Sequence, residues 1–129
     1  MPSYNGEWFN PPAPLARVTL RNPTSGQTVG DVPMLLDTGA DVTLLPRAVV
    51  DRLNIALETN AQYEMVGFDG TSSLSSVVEL EMIFLEKTFR GKFLLLEQEW
   101  GIIGRNVLNA VSLLLDGPHL IWDRHNTAT

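Results

Sequence analysis

Asp37 is the acidic residue whose neighbours best suit proton-transfer chemistry. It follows the apolar pair Leu35 and Leu36, and the small residues Thr38 and Gly39 come directly after it. An acid in this position ends a buried strand, where solvent is scarce and the proton affinity of a carboxylate can be shifted. Asp, Thr and Gly are also ordinary turn residues, so this tripeptide by itself is typical of a plain strand end as well.

A second segment repeats the pattern of an apolar strand, a glycine and a polar turn. Two isoleucines at positions 102–103 precede Gly104, which lies 67 positions after Asp37 (104 minus 37), and the turn that follows carries the cation Arg105. Residues 67–70, Gly-Phe-Asp-Gly, lie between the two segments. Their Asp-Gly pair suits the positive φ angles of a tight hairpin turn. Two motifs in this order are far more specific than either alone.

Taken together, these segments resemble the retropepsins, the single-lobe aspartic proteases of retroviruses, retrotransposons and some cellular genomes. The resemblance spans roughly residues 17 to 123 and rests on residues 35–41, 67–70 and 102–108. It implies an all-β, retropepsin-like acid protease fold, a closed barrel or folded sheets with a flap hairpin and one or two short helices. Many short apolar runs separated by turn signals, with little helix, also indicate an all-β barrel or folded sheet.

Peptide hydrolysis without a metal or a nucleophile needs one group that takes a proton from water and another that gives a proton to the substrate. Two carboxylates that share one proton can do both, because like charges at hydrogen-bonding distance do not readily ionise together. The chain has one Asp-Thr-Gly and, at 129 residues, is too short for two catalytic lobes. The resemblance therefore implies an aspartic endopeptidase in which two Asp37 carboxylates activate a water molecule across a homodimer axis.

The resemblance implies roles for the neighbours of Asp37. Thr38 and Gly39 complete the catalytic turn, with the Thr38 hydroxyl reaching across the twofold axis to the backbone of the second copy. Gly39 lets the backbone lie close to the substrate. Asp41 and Arg105 are expected to form an ion pair that ties the acidic turn to the late helix. The alternative for these two residues is a pair of unrelated surface charges.

Structural support for the acidic turn is expected from the second motif, through Gly104, Arg105 and Asn106. Ala40 stands where two-lobed pepsin-like enzymes usually carry a hydroxyl that donates toward the catalytic carboxylate. Losing a donor to the charged form of an acid favours its protonation. We therefore expect activity at mildly rather than strongly acidic pH.

The substrate is expected to bind as an extended strand between the flap and the active-site strands, with alternate side chains in apolar pockets. The predicted substrate contacts are Ala40, Asp41, Val42, Val66, Gly67, Phe68 and Ile102, and the predicted flap comprises Gly67, Phe68, Asp69 and Gly70. Each large apolar residue of this set is about as typical of an ordinary core. Asp69 departs from the viral pattern, which is richer in glycine at the flap tip.

Length and composition indicate one globular domain. The chain has 129 residues, of which 44% are hydrophobic and 19% charged, as in many globular proteins. The prolines of residues 1–16 indicate an extended arm, either disordered or packed along a partner. The protease domain is predicted over residues 17–124 and a frayed tail over residues 125–129.

Several classes of function are disfavoured. Nine basic and fifteen acidic residues give a net charge of −6, which argues against a nucleic-acid partner. The chain has no cysteine, and His119 and His125 stand in no cluster of ligand residues, so we expect no metal and no cofactor. No signal sequence or long apolar run is recognisable, and we predict a cytoplasmic protein that does not span a membrane.

The rival interpretation is a retropepsin-fold protein that is catalytically weak or inactive and serves as a dimerising or peptide-binding module. The altered flap tip at Asp69 favours this module. The intact Asp37, Thr38 and Gly39 favour the enzyme.

Overall fold

Strands and tight turns make up most of the computed structural model, which describes the backbone of residues 2–56, 58–66 and 72–126 and the side chains of residues 2–56 and 76–126. The strands are β1 Ser3–Asn5, β2 Ala13–Arg21, β3 Thr28–Leu36, β4 Leu44–Pro46, β5 Glu58–Val66, β6 Ser72–Phe84, β7 Lys87–Leu96, β8 Gly101–Ile103, β9 Leu113–Asp116 and β10 Ile121–Arg124, and the helices are α1 Arg47–Asp51 and α2 Arg105–Leu108. In this described part of the chain, no helix is long and apolar enough to cross a membrane. The cytoplasmic location stays a prediction.

Six of the strands close into a barrel. Neighbouring strands follow the order β5-β6-β7-β4-β8-β3-β2-β1-β10-β9, and β6 pairs in addition with β2. That extra pairing joins the two ends of the run from β6 to β2. The predicted all-β barrel with one or two short helices is therefore confirmed. The tip of the predicted flap, residues 67–70, lies outside the described residues.

Alternating apolar residues fill the barrel. On β2 the side chains of Ala16, Val18 and Leu20 are buried, and on β6 those of Leu80 and Met82 are buried. The residues between them are more exposed. This period of two is what a strand requires when one of its faces packs on a core.

Parallel pairing brings the two sequence motifs together. β3 runs parallel to β8, with Leu36 opposite Ile103. On its other side β8 pairs antiparallel with β4, which in turn runs parallel to β7. The carboxyl ends of paired parallel strands lie at the same edge of a sheet. Asp37 and Gly104, which follow β3 and β8, therefore lie side by side.

The N-terminal segment packs on its own chain. Ser3 of β1 pairs with Leu15 of β2 and with Ile121 of β10, and β2 begins at Ala13, within the segment predicted as an arm. The buried indole of Trp122 donates from Nε1 to the Leu15 carbonyl oxygen at 3.0 Å. The segment predicted as an arm thus contributes strand pairing within the chain, and the outer bounds of the domain stay a prediction.

Pro46 has extended backbone angles and ends β4, directly before α1 begins at Arg47. The helix α2 ends at Leu108, and β9 begins at Leu113. Such end positions depend on hydrogen bonds that local pattern does not specify.

Candidate active site

Asp37 is held by backbone hydrogen bonds at the end of β3. Its own N–H donates to the Ile103 carbonyl oxygen at 3.1 Å, which continues the pairing of β3 with β8. Its carboxylate oxygen Oδ1 accepts the Gly39 N–H at 2.9 Å. Its carbonyl oxygen accepts the Ala40 N–H at 3.2 Å. Main-chain atoms therefore orient this half-buried carboxylate at the rim of the barrel.

Gly39 has a steric reason to lack a side chain. A Cβ at this position would lie 3.1 Å from Asp37 Oδ1, tighter than an ordinary van der Waals contact. Even alanine would therefore press on the carboxylate that the Gly39 N–H holds. Thr38 and Gly39 are exposed in the single chain, and the contact of the Thr38 hydroxyl across a twofold axis stays a prediction.

Gly104 lies against the acidic turn with no space for a side chain. A Cβ there would overlap the Val42 carbonyl oxygen and come within 3.0 Å of the Ala40 carbonyl oxygen. The next residue closes the contact, because the Arg105 N–H donates to the Ala40 carbonyl oxygen at 2.8 Å. The two sequence motifs are thus joined through their main chains.

Thr43 also joins the two motifs, a role that the sequence pattern does not predict. Its side chain is 1% exposed. Its hydroxyl oxygen accepts the Gly104 N–H at 3.1 Å, and the hydroxyl donates to Asn106 Oδ1 at 2.7 Å. The available signal was a lone hydroxyl in the apolar run of residues 42–45, since a buried polar side chain needs hydrogen-bond partners.

Arg105 and Asp41 do not form the expected ion pair in the single chain. The Arg105 guanidinium donates instead from Nη1 to the Thr38 carbonyl oxygen at 2.6 Å. Among the ion pairs of the described residues, none joins Arg105 to Asp41. Both side chains are exposed, where an ion pair gains little over hydration. Arg105 therefore contacts the acidic turn through a different bond from the predicted one.

The predicted substrate contacts lie beside the turn where the structure describes them. Val42 is 37% exposed. It lines a pocket of about 110 Å³ together with Thr43, Lys92, Leu94 and Asn106. Ile102 is half-buried and packs against the small cluster of Leu44, Val77 and Leu94. The Val66 side chain and residues 67–70 lie outside the described residues, so the flap contacts stay a prediction.

The turn presents one acid–base group, the Asp37 carboxylate. Asp41 follows it in sequence but is exposed. Within the described ranges, no group of three or more His, Cys, Asp or Glu side chains could hold a metal ion. In hydrolysis, one group takes a proton from the attacking water while another protonates the substrate. A second acid–base group must therefore lie beside the Asp37 carboxylate.

Comparison with known proteins agrees with this geometry. A family model described as aspartyl protease matches residues 18–107, a range that includes Asp37 and Gly104. Among solved structures, the chain is similar to the EIAV protease complexed with the inhibitor HBY-793, at 21% sequence identity and a TM-score of 0.55, with coverage of 76% of this chain and 86% of that chain. No curated protein matches the sequence. The family model covers most of this chain, and a retroviral protease shares the fold of the chain. The chain therefore belongs to the aspartyl protease family and is retropepsin-like.

Proposed function

We propose that this chain is an aspartic endopeptidase that hydrolyses peptide bonds with water activated between two Asp37 carboxylates across a homodimer axis. The observation that carries the proposal is the orientation of Asp37, whose N–H is bonded to Ile103 and whose carboxylate is anchored by the Gly39 N–H. Membership of the aspartyl protease family supports the same chemistry. A second copy is required because the chain contains one Asp-Thr-Gly.

The two carboxylates act as base and acid in turn. The ionised Asp37 takes a proton from water as the water oxygen attacks the peptide carbonyl carbon, and the protonated Asp37 of the partner subunit gives its proton to the carbonyl oxygen. The first carboxyl then protonates the nitrogen as the C–N bond breaks. The second carboxylate takes a hydroxyl proton as the carbonyl re-forms. Both acids return to their starting states, and one water has been added to one peptide bond.

The peptide substrate is proposed to lie extended across the turn, in the manner of an added strand. The exposed Val42 and the half-buried Ile102 would contact its apolar side chains, and the exposed Asp41 would meet its backbone N–H groups. Residues 67–70 would cover it as a flap. Ala40 offers the catalytic carboxylate no hydroxyl, which supports a mildly acidic optimum.

Replacing Asp37 by asparagine tests the proposal. The amide has nearly the same size but cannot take the proton from water, so Asp37→Asn should keep the fold and lose cleavage of a pool of unstructured peptides by about 10²-fold or more. Mass spectrometry reads the products, and circular dichroism checks the fold. Asp51→Asn, at an exposed acid in α1, is the matched control and should cleave as the wild type does.

Two outcomes would contradict the proposal. Cleavage by Asp37→Asn at the wild-type rate would show that this carboxylate is not the base, and arrest of the wild type by a metal chelator would show different chemistry. If the wild type binds the peptides but cleaves none of them, the inactive peptide-binding module is the correct interpretation.

A further inference from the structure

Three aromatic residues join the N-terminal segment to the strand that carries the second motif. The indole rings of Trp8 and Trp100 are stacked with their centroids 5.4 Å apart, and the Phe9 ring meets Trp100 edge-on at 5.0 Å. Trp100 directly precedes β8, and Trp8 is 37% exposed. These three residues, the aromatic cluster, therefore present indole surface to solvent at the start of an active-site strand.

The loop of residues 6–12 leaves the sheet beside the acidic turn. Asn5 pairs with Ala13, so the residues between them project beyond this pair. The antiparallel register of β2 with β3, continued by two residues beyond its last pair, sets Ala13 level with Asp37. The loop that carries Trp8 and Phe9 thus starts and ends at the edge where Asp37 lies, and it reaches from there to Trp100.

Gly101 shows on which side of β8 the aromatic cluster lies. A Cβ at Gly101 would meet the side chain of Met34, which is fully buried in the barrel core. Successive residues of a strand face opposite sides, so Trp100 and Ile102 share the side that faces away from this core. Ile102 is one of the proposed substrate contacts. The aromatic cluster therefore continues the surface on which the substrate is proposed to lie.

The surroundings of the aromatic cluster are acidic. Glu7 and Glu99, which directly precede the two tryptophans, are both exposed. The segments that carry them, residues 1–16 and 93–104, contain no lysine or arginine. Glu97 in the same turn is already bonded to an arginine of α1. Aromatic ring faces and carboxylates both attract cations, so this surface suits a positively charged side chain.

Hydrogen bonds hold the loop in this shape without a ligand. Asn5 Oδ1 accepts the Glu7 N–H at 3.0 Å and the Trp8 N–H at 2.8 Å. Pro11 and Pro12 restrict the backbone at the end of the loop. A surface that is already ordered loses less conformational entropy when a ligand binds.

We propose that the loop of residues 6–12 and Trp100 form one wall of the substrate groove and select peptides that carry an arginine or lysine near the scissile bond. The inference rests on the proposed function, which supplies the groove. The cation would lie against Trp8 with the two flanking acids beside it. Trp100 precedes Ile103, whose carbonyl bonds Asp37, by three residues, or about 10 Å of extended strand. We therefore expect the basic residue within about three positions of the scissile bond.

Digestion of a pool of unstructured peptides tests the preference, because mass spectrometry identifies the residues around each cut. At one position within three residues of the cut, arginine and lysine should occur roughly fivefold more often than in the pool. The double variant Glu7→Gln with Glu99→Gln should lose most of this enrichment. Asp31→Asn with Glu79→Gln, at two exposed acids elsewhere, changes the net charge equally and is the matched control that should keep it.

Peptide binding in the Asp37→Asn background gives a measurement that does not depend on cleavage. The probes are a peptide of alternating leucine and arginine and the same peptide with citrulline, a neutral isostere, in place of arginine. Tryptophan emission should report binding because Trp8 is exposed. The arginine peptide should bind roughly fivefold more tightly. Trp8→Leu should remove this difference, Trp8→Phe should retain part of it, and circular dichroism checks that each variant folds.

Each possible result supports or contradicts the inference. Equal binding of the two probes, or enrichment of large apolar residues in place of arginine and lysine, would overturn it. Cleavage that depends on Asp37 but shows no preference for basic residues would contradict this wall and leave the proposed function standing. Selective binding of the arginine peptide by a protein whose wild type cleaves nothing would support the wall and contradict the function.

Discussion

The active-site frame, residues 37–43 and 103–106, and the edge strand β9 both border a groove of about 490 Å³, but they differ in how far one chain completes them. In the frame, the N–H groups of Asp37, Gly39 and Gly104 each have a partner from the same chain. On β9, by contrast, Leu114 and Leu115 are more than half exposed, at an edge that pairs with no further strand in the part of the chain that the structure describes.

This difference separates two requirements of the proposed enzyme. Orientation of each carboxylate is a property of the single chain, because the bonds that fix the turn are intramolecular. Bringing two carboxylates together, as the proposed function requires, depends on a second copy of the chain. Damage to the frame should therefore lower stability equally at all protein concentrations.

Gly104→Ala is expected to have the largest effect on the frame. Its added Cβ would overlap the Val42 carbonyl oxygen, a backbone atom that cannot rotate away. Overpacking of this kind costs about 3 kcal/mol, which corresponds to a fall in Tm of about 10 °C. Thermal unfolding followed by circular dichroism, at several protein concentrations, measures the loss.

Gly91→Ala on β7 is the matched control for this change. An added Cβ there meets nothing within 4 Å, so Tm should stay within about 2 °C of the wild type. If the loss in Gly104→Ala disappears as protein concentration rises, the frame is not complete within one chain.

Thr43→Val should have an intermediate effect. Valine keeps the shape of the side chain but removes the hydroxyl that accepts the Gly104 N–H and donates to Asn106. A buried donor left without a partner costs about 2 kcal/mol, again independent of protein concentration. Thr88→Val, at an exposed position on β7, provides the control and should change the free energy of unfolding by less than about 0.5 kcal/mol. Equal stability of the two variants would mean that the hydrogen bonds of the Thr43 hydroxyl do not stabilise the frame.

The smallest expected effect concerns the barrel closure, away from both regions. Arg21 Nε donates to Glu81 Oε1 at 2.8 Å where β2 meets β6. This hydrogen bond holds the pKa of Glu81 below its ordinary value of 4.5. The bond therefore stabilises the fold above that value, and its contribution is lost as pH falls through the lower folded-state pKa.

Glu81→Gln should accordingly lower Tm slightly at pH 7, and the difference from the wild type should shrink below pH 4.5. Glu79→Gln, at an exposed acid on the same strand, should show no such pH dependence. Peptide cleavage should instead follow a bell-shaped pH profile, because one carboxylate of the Asp37 pair must be charged and the other protonated. A profile whose shape changes in Glu81→Gln would show that titration of the barrel, rather than of the site, controls activity.

The sequence predicts those parts of the site that depend on local pattern. Asp37 and Gly104 each end an apolar run with a small turn residue, and this is visible without knowing what the run pairs with. The role of Thr43 cannot be predicted from local pattern, because its partner Gly104 lies 61 positions away. The hydrogen bond from Arg105 to the Thr38 carbonyl oxygen cannot be predicted for the same reason, since a charged residue in a sequence does not specify which acceptor it will meet.

The fold also has features that local pattern predicts and features that depend on distant contacts. Alternating apolar residues such as Val18 and Leu20 indicate strands with one buried face, and many such strands indicate a barrel. Proline-rich sequence before β2 indicates extended backbone but not its neighbours. The placement of β1 between β2 and β10 depends on contacts between distant residues, such as Ser3 with Ile121, that no local pattern contains.

The parallel pairing of β3 with β8 has a consequence for the order of events during synthesis. Asp37 leaves the ribosome early, but the carbonyl group that its N–H requires belongs to Ile103. The bond from Trp122 to Leu15 joins residues that are 107 positions apart and forms later still. Long-range contacts of this kind are made late in folding. A nascent chain therefore cannot complete the hydrogen bonds of the acidic turn until residue 103 has been added and has left the ribosome.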